Sequence, residues 1–259
     1  MVHRSYNKLL KRLQALAALP SVEMETLGQV ELAGRTYPLI LMHLGQPAPG
    51  RLGVTISAGI HGDEPAGVEA AVRFIEKTAG NESFLSCFHF IVFPCDNPSG
   101  WERNTRGNAG GLDLNRQFAT AHPAQEAALI MGALERRCFD LVFEMHEDVD
   151  APGFYLYELA DDPANYVGEA IVRAVARSGY PIHPGQEIEG LPAAGGIIRP
   201  TRIRRFRKTH LPKAVYTYRT CGGHVITLEP PASVLPFEDR VKIELIGLGV
   251  ALQAAAARR

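Results

Sequence analysis

Three apolar runs in this chain each lead into a residue able to hold a metal ion or move a proton. Residues 52–58 run into Gly59-Ile60-His61-Gly62-Asp63-Glu64, residues 139–145 into His146, and residues 225–228 into Glu229. A fourth run, 88–93, enters a stretch at 94–111 rich in Asn, Gly and Pro. Short continuous apolar runs bounded by turn residues read as strands covered on both faces. Helical patterns lie between them. Pro65 suits a first helical position, and Val68, Ala71, Val72 and Ile75 continue an apolar stripe. Residues 123–136, 163–177 and about 238–256 also read as helices, and Tyr6, Leu9, Leu10, Leu13 and Leu16 lie on one face of a first helix over 5–18. Strands alternating with helices predict an α/β fold: a mixed, largely parallel central sheet with helices on both faces. Open sheets of this kind bind ligands beyond the carboxyl ends of their strands. His61, His146 and Glu229 are therefore candidates for a single site.

The rest of the chain adds less. Residues 29–32 and 37–44 flank Ala33-Gly34-Arg35-Thr36 and suit a hairpin. Residues 154–159 read as a short strand, and 181–212 as long loops. The alternation Val215-Tyr216-Thr217-Tyr218 reads as strand-face packing for the two tyrosines. No stretch resembles a linker, so residues 1–259 are expected to form one catalytic domain. With 46% apolar residues and a formal net charge of -1, the chain has an ordinary core and no overall drive toward nucleic acid or membrane. Cys87, Cys95, Cys138 and Cys221 form no C-x-x-C pair, which argues against a disulfide framework or a cysteine metal site. Lys8, Lys11, Arg12 and Gln14 interrupt the first helix, so it is not a secretory leader, and a cytoplasmic location is expected.

The chemistry concentrates in four places. His-x-x-Glu after a strand offers an imidazole and a carboxylate, and a second histidine completes the two-His, one-Glu set that leaves a zinc position open. Glu144, Glu147 and Asp148 read as supporting or surface carboxylates rather than ligands. The most specific stretch runs from Asn97-Pro98-Ser99-Gly100 through Arg103-Asn104-Thr105-Arg106 to Asp113-Leu114-Asn115-Arg116. Together with His61 to Glu64, His146 and Glu229, it resembles the zinc carboxypeptidases of the carboxypeptidase A type. The resemblance implies one zinc ion bound by His61, Glu64 and His146. It implies that Asp113 accepts a hydrogen bond from His61 and fixes the ring, and that Asn115 and Arg116 hold a substrate carboxylate. Arg106 would face the oxyanion, with Arg103 as a competing candidate. Glu229 would be the general base for a zinc-activated water. A guanidinium fork suits a carboxylate because it bonds both oxygens.

The match departs from the digestive enzymes at Asp63, where arginine is typical. An acidic residue there could meet a substrate amino group. His-Gly-Asp-Glu more closely resembles the bacterial murein-tripeptide amidase branch, which cuts γ-D-glutamyl-diaminopimelate. The succinylglutamate desuccinylase/aspartoacylase branch, which removes acyl groups from amino acids, shares the zinc pattern. The expectation is a zinc metallocarboxypeptidase or amidase acting on a small peptide. The alternatives are an N-acyl-amino-acid deacylase, and a non-catalytic binding protein on the same fold. A basic run, Arg199, Arg202, Arg204, Arg205, Arg207 and Lys208, reads either as a solvated loop or as a recruiter of acidic substrates.

Overall fold

The structure is a computed structural model and describes residues 4–200 and 208–258. The apolar runs become strands where expected. After helix α1 (Tyr6–Leu16), strands β1 (Val22–Leu32) and β2 (Arg35–Leu44) form the hairpin, turning on Ala33 and Gly34, both at positive φ. β3 (Leu52–Ala58) leads into α2 (Pro65–Thr78), which starts on its proline. A short α3 (Glu82–Leu85) precedes β4 (Phe88–Phe93). The Asn/Gly/Pro stretch, expected to be loop throughout, contains α4 (Pro98–Arg103), capped by the Asn97 side chain accepting from Gly100 N at 2.9 Å. Next come α5 (Gln125–Leu134), β5 (Leu141–Met145), β6 (Tyr155–Leu159) and α6 (Gly168–Arg177).

Residues 187–198 are not all loop. They hold three short strands, β7 (Glu187–Ile188), β8 (Leu191–Ala194) and β9 (Ile197–Ile198). Residues 215–218 correct a second expectation. They lie in a helix, α7 (Lys213–Cys221), followed by β10 (His224–Glu229) and α8 (Phe237–Ala257). Lys213, Val215 and Thr217 are buried in α7, so the alternation marks one inward helical turn and not a strand face.

The strands form one sheet in the order β1-β2-β4-β3-β5-β10-β6-β9-β8-β7. It is mixed, as expected, but parallel pairing is concentrated at the centre. β4, β3, β5 and β10 run parallel, while β1, β2 and β6 join antiparallel and the outer strands mix both senses. Antiparallel pairs outnumber parallel ones, against the expectation of a largely parallel sheet. Hairpins at both flanks add strands without crossover helices.

Helices cover both faces. One apolar layer joins Ile56, Phe143 and Ile226 of the sheet to Val68 and Val72 of α2, Ile171 of α6, and Val241 and Leu248 of α8. The other joins Ile91, Val142 and Val225 to Ile130 of α5 and Val215 of α7. The central strands end level. Met145 is in register with Ala58 on one side and Leu228 on the other. His146, Gly59 and Glu229 therefore leave the sheet side by side.

Candidate metal centre

The loop after β3 is shaped by glycine. Gly59 has φ +66°, and a Cβ there would strike Val68 at 2.6 Å. At Gly62 a Cβ would lie 2.0 Å from the backbone carbon of Gly100, so only glycine lets the loop pass α4. Asn97 ties the two segments together. Its side-chain amide donates to the carbonyls of Ile60 and Arg106, and Gly62 N donates to Arg106 O at 3.2 Å. This loop turns His61 and Glu64 toward His146, whose backbone N donates to Leu228 O at 3.1 Å.

Three buried ligand-type side chains meet there. His61 Nδ1 lies 2.5 Å from Glu64 Oε1, and His146 Nδ1 lies 3.0 Å from Glu64 Oε2. The three residues each offer a ligand atom, all within 4.8 Å of one another, and no other such group occurs among the described residues. The donor set fits a metal on chemical grounds. Two imidazole nitrogens converge on one carboxylate, and without a proton or a cation between them their lone pairs would oppose each other. Burial would raise the Glu64 carboxyl, yet His146 and His61 hold it below its ordinary value. Burial would lower both histidines. Asp113 and Glu64 outweigh it at His61, and Glu64 and Glu229 do so at His146, so both rings bind protons more readily than usual.

Asp113 stands on the far side of the His61 ring, its Oδ1 3.4 Å from Nε2. That nitrogen is buried and makes no closer bond among the described residues. Burial alone would raise the Asp113 carboxyl, but His61, Arg106 and Arg116 hold it well below the usual range. Arg106 bridges the centre, with Nε 3.3 Å from Asp113 Oδ2 and Nη1 3.7 Å from Glu64 Oε1. Its side chain is half exposed, so the guanidinium borders the open side of the centre. Glu229 is partly exposed at the end of β10. Burial pushes its carboxyl up to about 8, Glu64 and Asp148 add to the rise, and His146 and Arg106 oppose it.

Asn115 and Arg116 follow Asp113 directly. Asp113 Oδ1 accepts from Asn115 N at 2.9 Å, and the Asn115 side-chain oxygen accepts from Lys213 N at 2.8 Å. That bond fixes the amide with its NH2 free of other partners among the described residues. Arg116 is exposed, its Nη1 resting on Asn115 O. The structure thus gathers His61, Glu64, His146, Asp113, Arg106 and Glu229 around one point, with Asn115 and Arg116 on the adjoining turn. Arg103 points elsewhere, into a cleft on the opposite side of α4. Asp63 is exposed near Arg4. Tyr216 packs on Phe118, and the Tyr218 hydroxyl donates to Asp161, so neither tyrosine is held over the centre.

Sequence reasoning missed Tyr155 and Lys213, and read Glu147 only as a supporting or surface carboxylate. Glu147 supports the loop, since its backbone N donates to Glu64 Oε2 at 3.2 Å and its Oε1 accepts from Ala66 N at 2.5 Å. Tyr155 lies opposite Glu229 in the sheet and donates its hydroxyl to Asp148 at 2.8 Å. Lys213 is buried under the sheet edge, its ammonium 2.7 Å from Asp96, bonded to Ser57 and 4.4 Å from the Phe93 ring. The buried Glu144, two residues before His146, shares this pocket. Burial raises its carboxyl, with Lys213 opposing and Asp96 adding. Only the apolar runs flanking these residues were visible beforehand; the contacts are made by distant segments. In the basic run, Arg202, Arg204, Arg205 and Arg207 lie outside the described residues. Arg199 is engaged structurally, bonding Glu158 and Glu169 and lying 4.3 Å over the Tyr166 ring.

Comparison with known proteins agrees with this geometry. Residues 52–229 match the family model of the succinylglutamate desuccinylase/aspartoacylase catalytic domain. No curated protein matches the chain by sequence. Among solved structures, a candidate metallopeptidase from Shewanella baltica superposes with a TM-score of 0.78 at 22% identity, over 96% of this chain and 90% of that one. A metallo-carboxypeptidase from Burkholderia cenocepacia does so at 0.74 and 20%, over 99% and 70%. One from Pseudomonas aeruginosa, in complex with (2-guanidinoethylmercapto)succinic acid, reaches 0.69 at 16% identity, over 98% and 69%. At these identities the likeness is one of fold.

Proposed function

The chain belongs to the succinylglutamate desuccinylase/aspartoacylase catalytic-domain family, a metal-dependent amide hydrolase, and from that premise we propose a specific reaction. It hydrolyses an amide next to a free carboxylate of a small substrate, using one zinc ion held by His61, Glu64 and His146, within a single catalytic domain. The observation that carries this reading is the convergence of three buried ligand atoms within 4.8 Å, with Arg106 3.7 Å from Glu64. When bound, zinc supplies Lewis-acid chemistry, acidifying water and polarising a carbonyl.

The chain's own residues supply the rest. Asp113 orients the His61 ring, as carboxylates beside metal-bound histidines do. Asn115 and Arg116 hold the substrate carboxylate and so place the neighbouring amide at the centre. Arg106 faces the negative charge that grows on the carbonyl oxygen, a contribution of about 3 kcal/mol for a donor of this kind. Glu229 takes a proton from the attacking water and returns it to the leaving nitrogen. A carboxyl near 8 lies close enough to neutral to serve in both directions.

Two substrate classes have separate support. The acidic Asp63, between His61 and Glu64 in the sequence, favours a peptide with an amino group near the cut, as in γ-D-glutamyl-diaminopimelate peptides. The family match favours N-acyl amino acids. The (2-guanidinoethylmercapto)succinic acid in complex with the Pseudomonas protein supports carboxylate recognition in either case. Scattered cysteines with no C-x-x-C pair fit a reducing cytoplasm as the place of action, and no helix among the described residues is long and apolar enough to cross a membrane.

The test is a mixed panel of C-terminally free and amidated dipeptides, γ-D-glutamyl-diaminopimelate peptides, and N-acetyl and N-succinyl amino acids. Products are read by mass spectrometry with Glu229→Gln as control. Cleavage confined to free-carboxylate substrates and lost in the variant is expected. Equal cleavage of amidated substrates would remove the carboxylate clamp. No cleavage of any member would favour a binding protein on this fold.

A further inference from the structure

Behind the metal loop, a cleft of about 980 Å³ opens between α1, α4 and the first turns of α2 and α8. Its lining carries six Lys or Arg residues and two Glu. Both acids are already engaged, Glu69 with Arg12 at 2.6 Å and Glu102 with Arg35 at 2.5 Å. Arg240 is paired with Glu147 at the back wall. Two cations of the lining remain without a counter-charge among the described residues, and a third, Arg4, has only the exposed Asp63 nearby. The Arg4 side chain bonds the neutral oxygens of Gly62 and Asn104, and the Lys8 and Arg103 side chains make no hydrogen bond or ion pair among the described residues. Two buried donors in the same walls, Trp101 Nε1 and Arg240 Nε, have no acceptor among the described residues.

Surplus cations and orphaned donors in one concavity are the complement of an anion. Burial lowers the pKa of both Arg4 and Arg240, the cost of holding guanidinium groups away from water, and a bound counter-charge relieves it. Much of the remaining wall is apolar, with Leu9, Val68, Phe237 and the Trp101 ring, so a ligand with a hydrocarbon or aromatic body fits better than a bare inorganic ion.

The cleft also touches the metal loop twice. Arg4 Nη1 donates to Gly62 O at 2.7 Å, between His61 and Glu64. Arg240 holds Glu147, whose backbone N donates to Glu64 Oε2. Pro65, the residue after Glu64, is itself in the wall.

We propose that this cleft is a second ligand site, taking a small organic polyanion that carries carboxylates or phosphates on an apolar body, and that its occupancy is felt at the loop bearing His61 and Glu64. Binding is independent of the reaction assigned above and would stand if the chain hydrolysed nothing. The coupling rests on His61 and Glu64 as metal ligands. By linkage, a ligand that alters metal affinity has its own affinity altered by the same factor.

The test is isothermal titration of the full chain, at fixed ionic strength, with benzene-1,3,5-tricarboxylate and with phenyl phosphate. The two probes separate carboxylate from phosphate recognition. Three proteins are compared: wild type, Lys8→Ala/Arg103→Ala, and Arg116→Ala. Lys8 and Arg103 are exposed, so their removal leaves the core intact. Saturable binding of at least one probe, weakened roughly tenfold or more in the Lys8/Arg103 variant and unchanged in Arg116→Ala, is the expected result. Binding that survives the Lys8/Arg103 change, or disappears with Arg116, would assign the anion to the reaction centre and overturn the proposal. So would the absence of saturable binding by both probes. Repeating the titration on metal-free and zinc-loaded protein reads the coupling: a Kd changed about threefold or more is expected, and an identical Kd would remove the link to the loop.

Discussion

Two buried clusters in this sheet are built from the same residue types and are wired in opposite ways. At the end of β6, Glu158 is fully buried beside His224, as Glu64 is beside His61 and His146. Every lone pair of Glu158 is met by a donor. Oε1 accepts from Val167 N at 2.6 Å, Gly168 N at 3.0 Å and His224 Nε2 at 2.9 Å, while Oε2 accepts from Arg199 at 2.7 and 3.0 Å. Burial would raise this carboxyl, but His224, the Val167 amide and Arg199 hold it below its ordinary value. Among the described residues, Glu64 has no guanidinium in hydrogen-bond contact. It accepts one backbone N–H, from Glu147, and otherwise faces two imidazoles, while Arg106 stops 3.7 Å short. A saturated carboxylate is a tie within the fold; one that meets two imidazoles and a single backbone amide has room for a cation. Residue type alone does not separate a structural His–Glu pair from a metal-binding one. The count of donors does.

The sharpest way to break this comparison is to remove the metal. Chelation should abolish turnover, by at least about 10³-fold given several kcal/mol of Lewis-acid stabilisation, while far-ultraviolet circular dichroism stays unchanged. Residual activity in a chelated sample free of zinc by mass spectrometry would refute the metal assignment. Next in size, Glu229→Gln should retain bound zinc and lose roughly 10²–10⁴-fold in kcat. Wild-type rates would remove Glu229 from the base role.

On the other side of the comparison, Glu158→Ala should leave zinc stoichiometry intact. It should cost about 3–5 kcal/mol of stability, because Arg199 and the amides of Val167 and Gly168 lose their acceptor. Urea denaturation measures it, and a loss below about 1 kcal/mol would show that the saturated cluster is not a tie.

A third buried carboxylate sharpens the rule. Glu244 on α8 is fully buried with neither oxygen bonded among the described residues, and burial, with Glu229 and Glu64 nearby, raises its carboxyl well above the ordinary value. A raised folded-state pKa means the folded chain holds a proton that the unfolded chain releases. Stability from this group is therefore fully present below about pH 4.3 and falls as pH rises toward the folded value. Glu244→Leu should raise stability at pH 7 by about 1–3 kcal/mol, with the gain shrinking toward pH 4. A gain that grows on acidification would contradict the sign.

Much of this arrangement was readable from sequence because burial on both faces writes itself as unbroken apolar runs. The runs at 52–58, 139–145 and 225–228 gave the central strands, and the polar residues at their ends gave the candidate centre. What stayed hidden depends on contacts between distant segments. α4 is a helix of six residues stabilised by the Asn97 cap and the Gly62–Gly100 approach, neither of which has a periodic signature. Val215 to Tyr218 carries strand-like residues, but Lys213 and Thr217 bury against the sheet and tertiary packing selects a helix. β7 and β9 are two residues long, too short to show alternation. The bond from Lys213 N to Asn115 joins positions 98 residues apart, and no local pattern could announce it.

The most direct test of the central claim is metal stoichiometry in paired variants. Wild type, His146→Ala and His224→Ala would be loaded with zinc, desalted and measured by inductively coupled plasma mass spectrometry. One zinc per chain in wild type and His224→Ala, with near zero in His146→Ala, is the predicted result. Equal zinc in both variants, or loss from His224→Ala alone, would contradict the assignment of the open cluster as the metal centre.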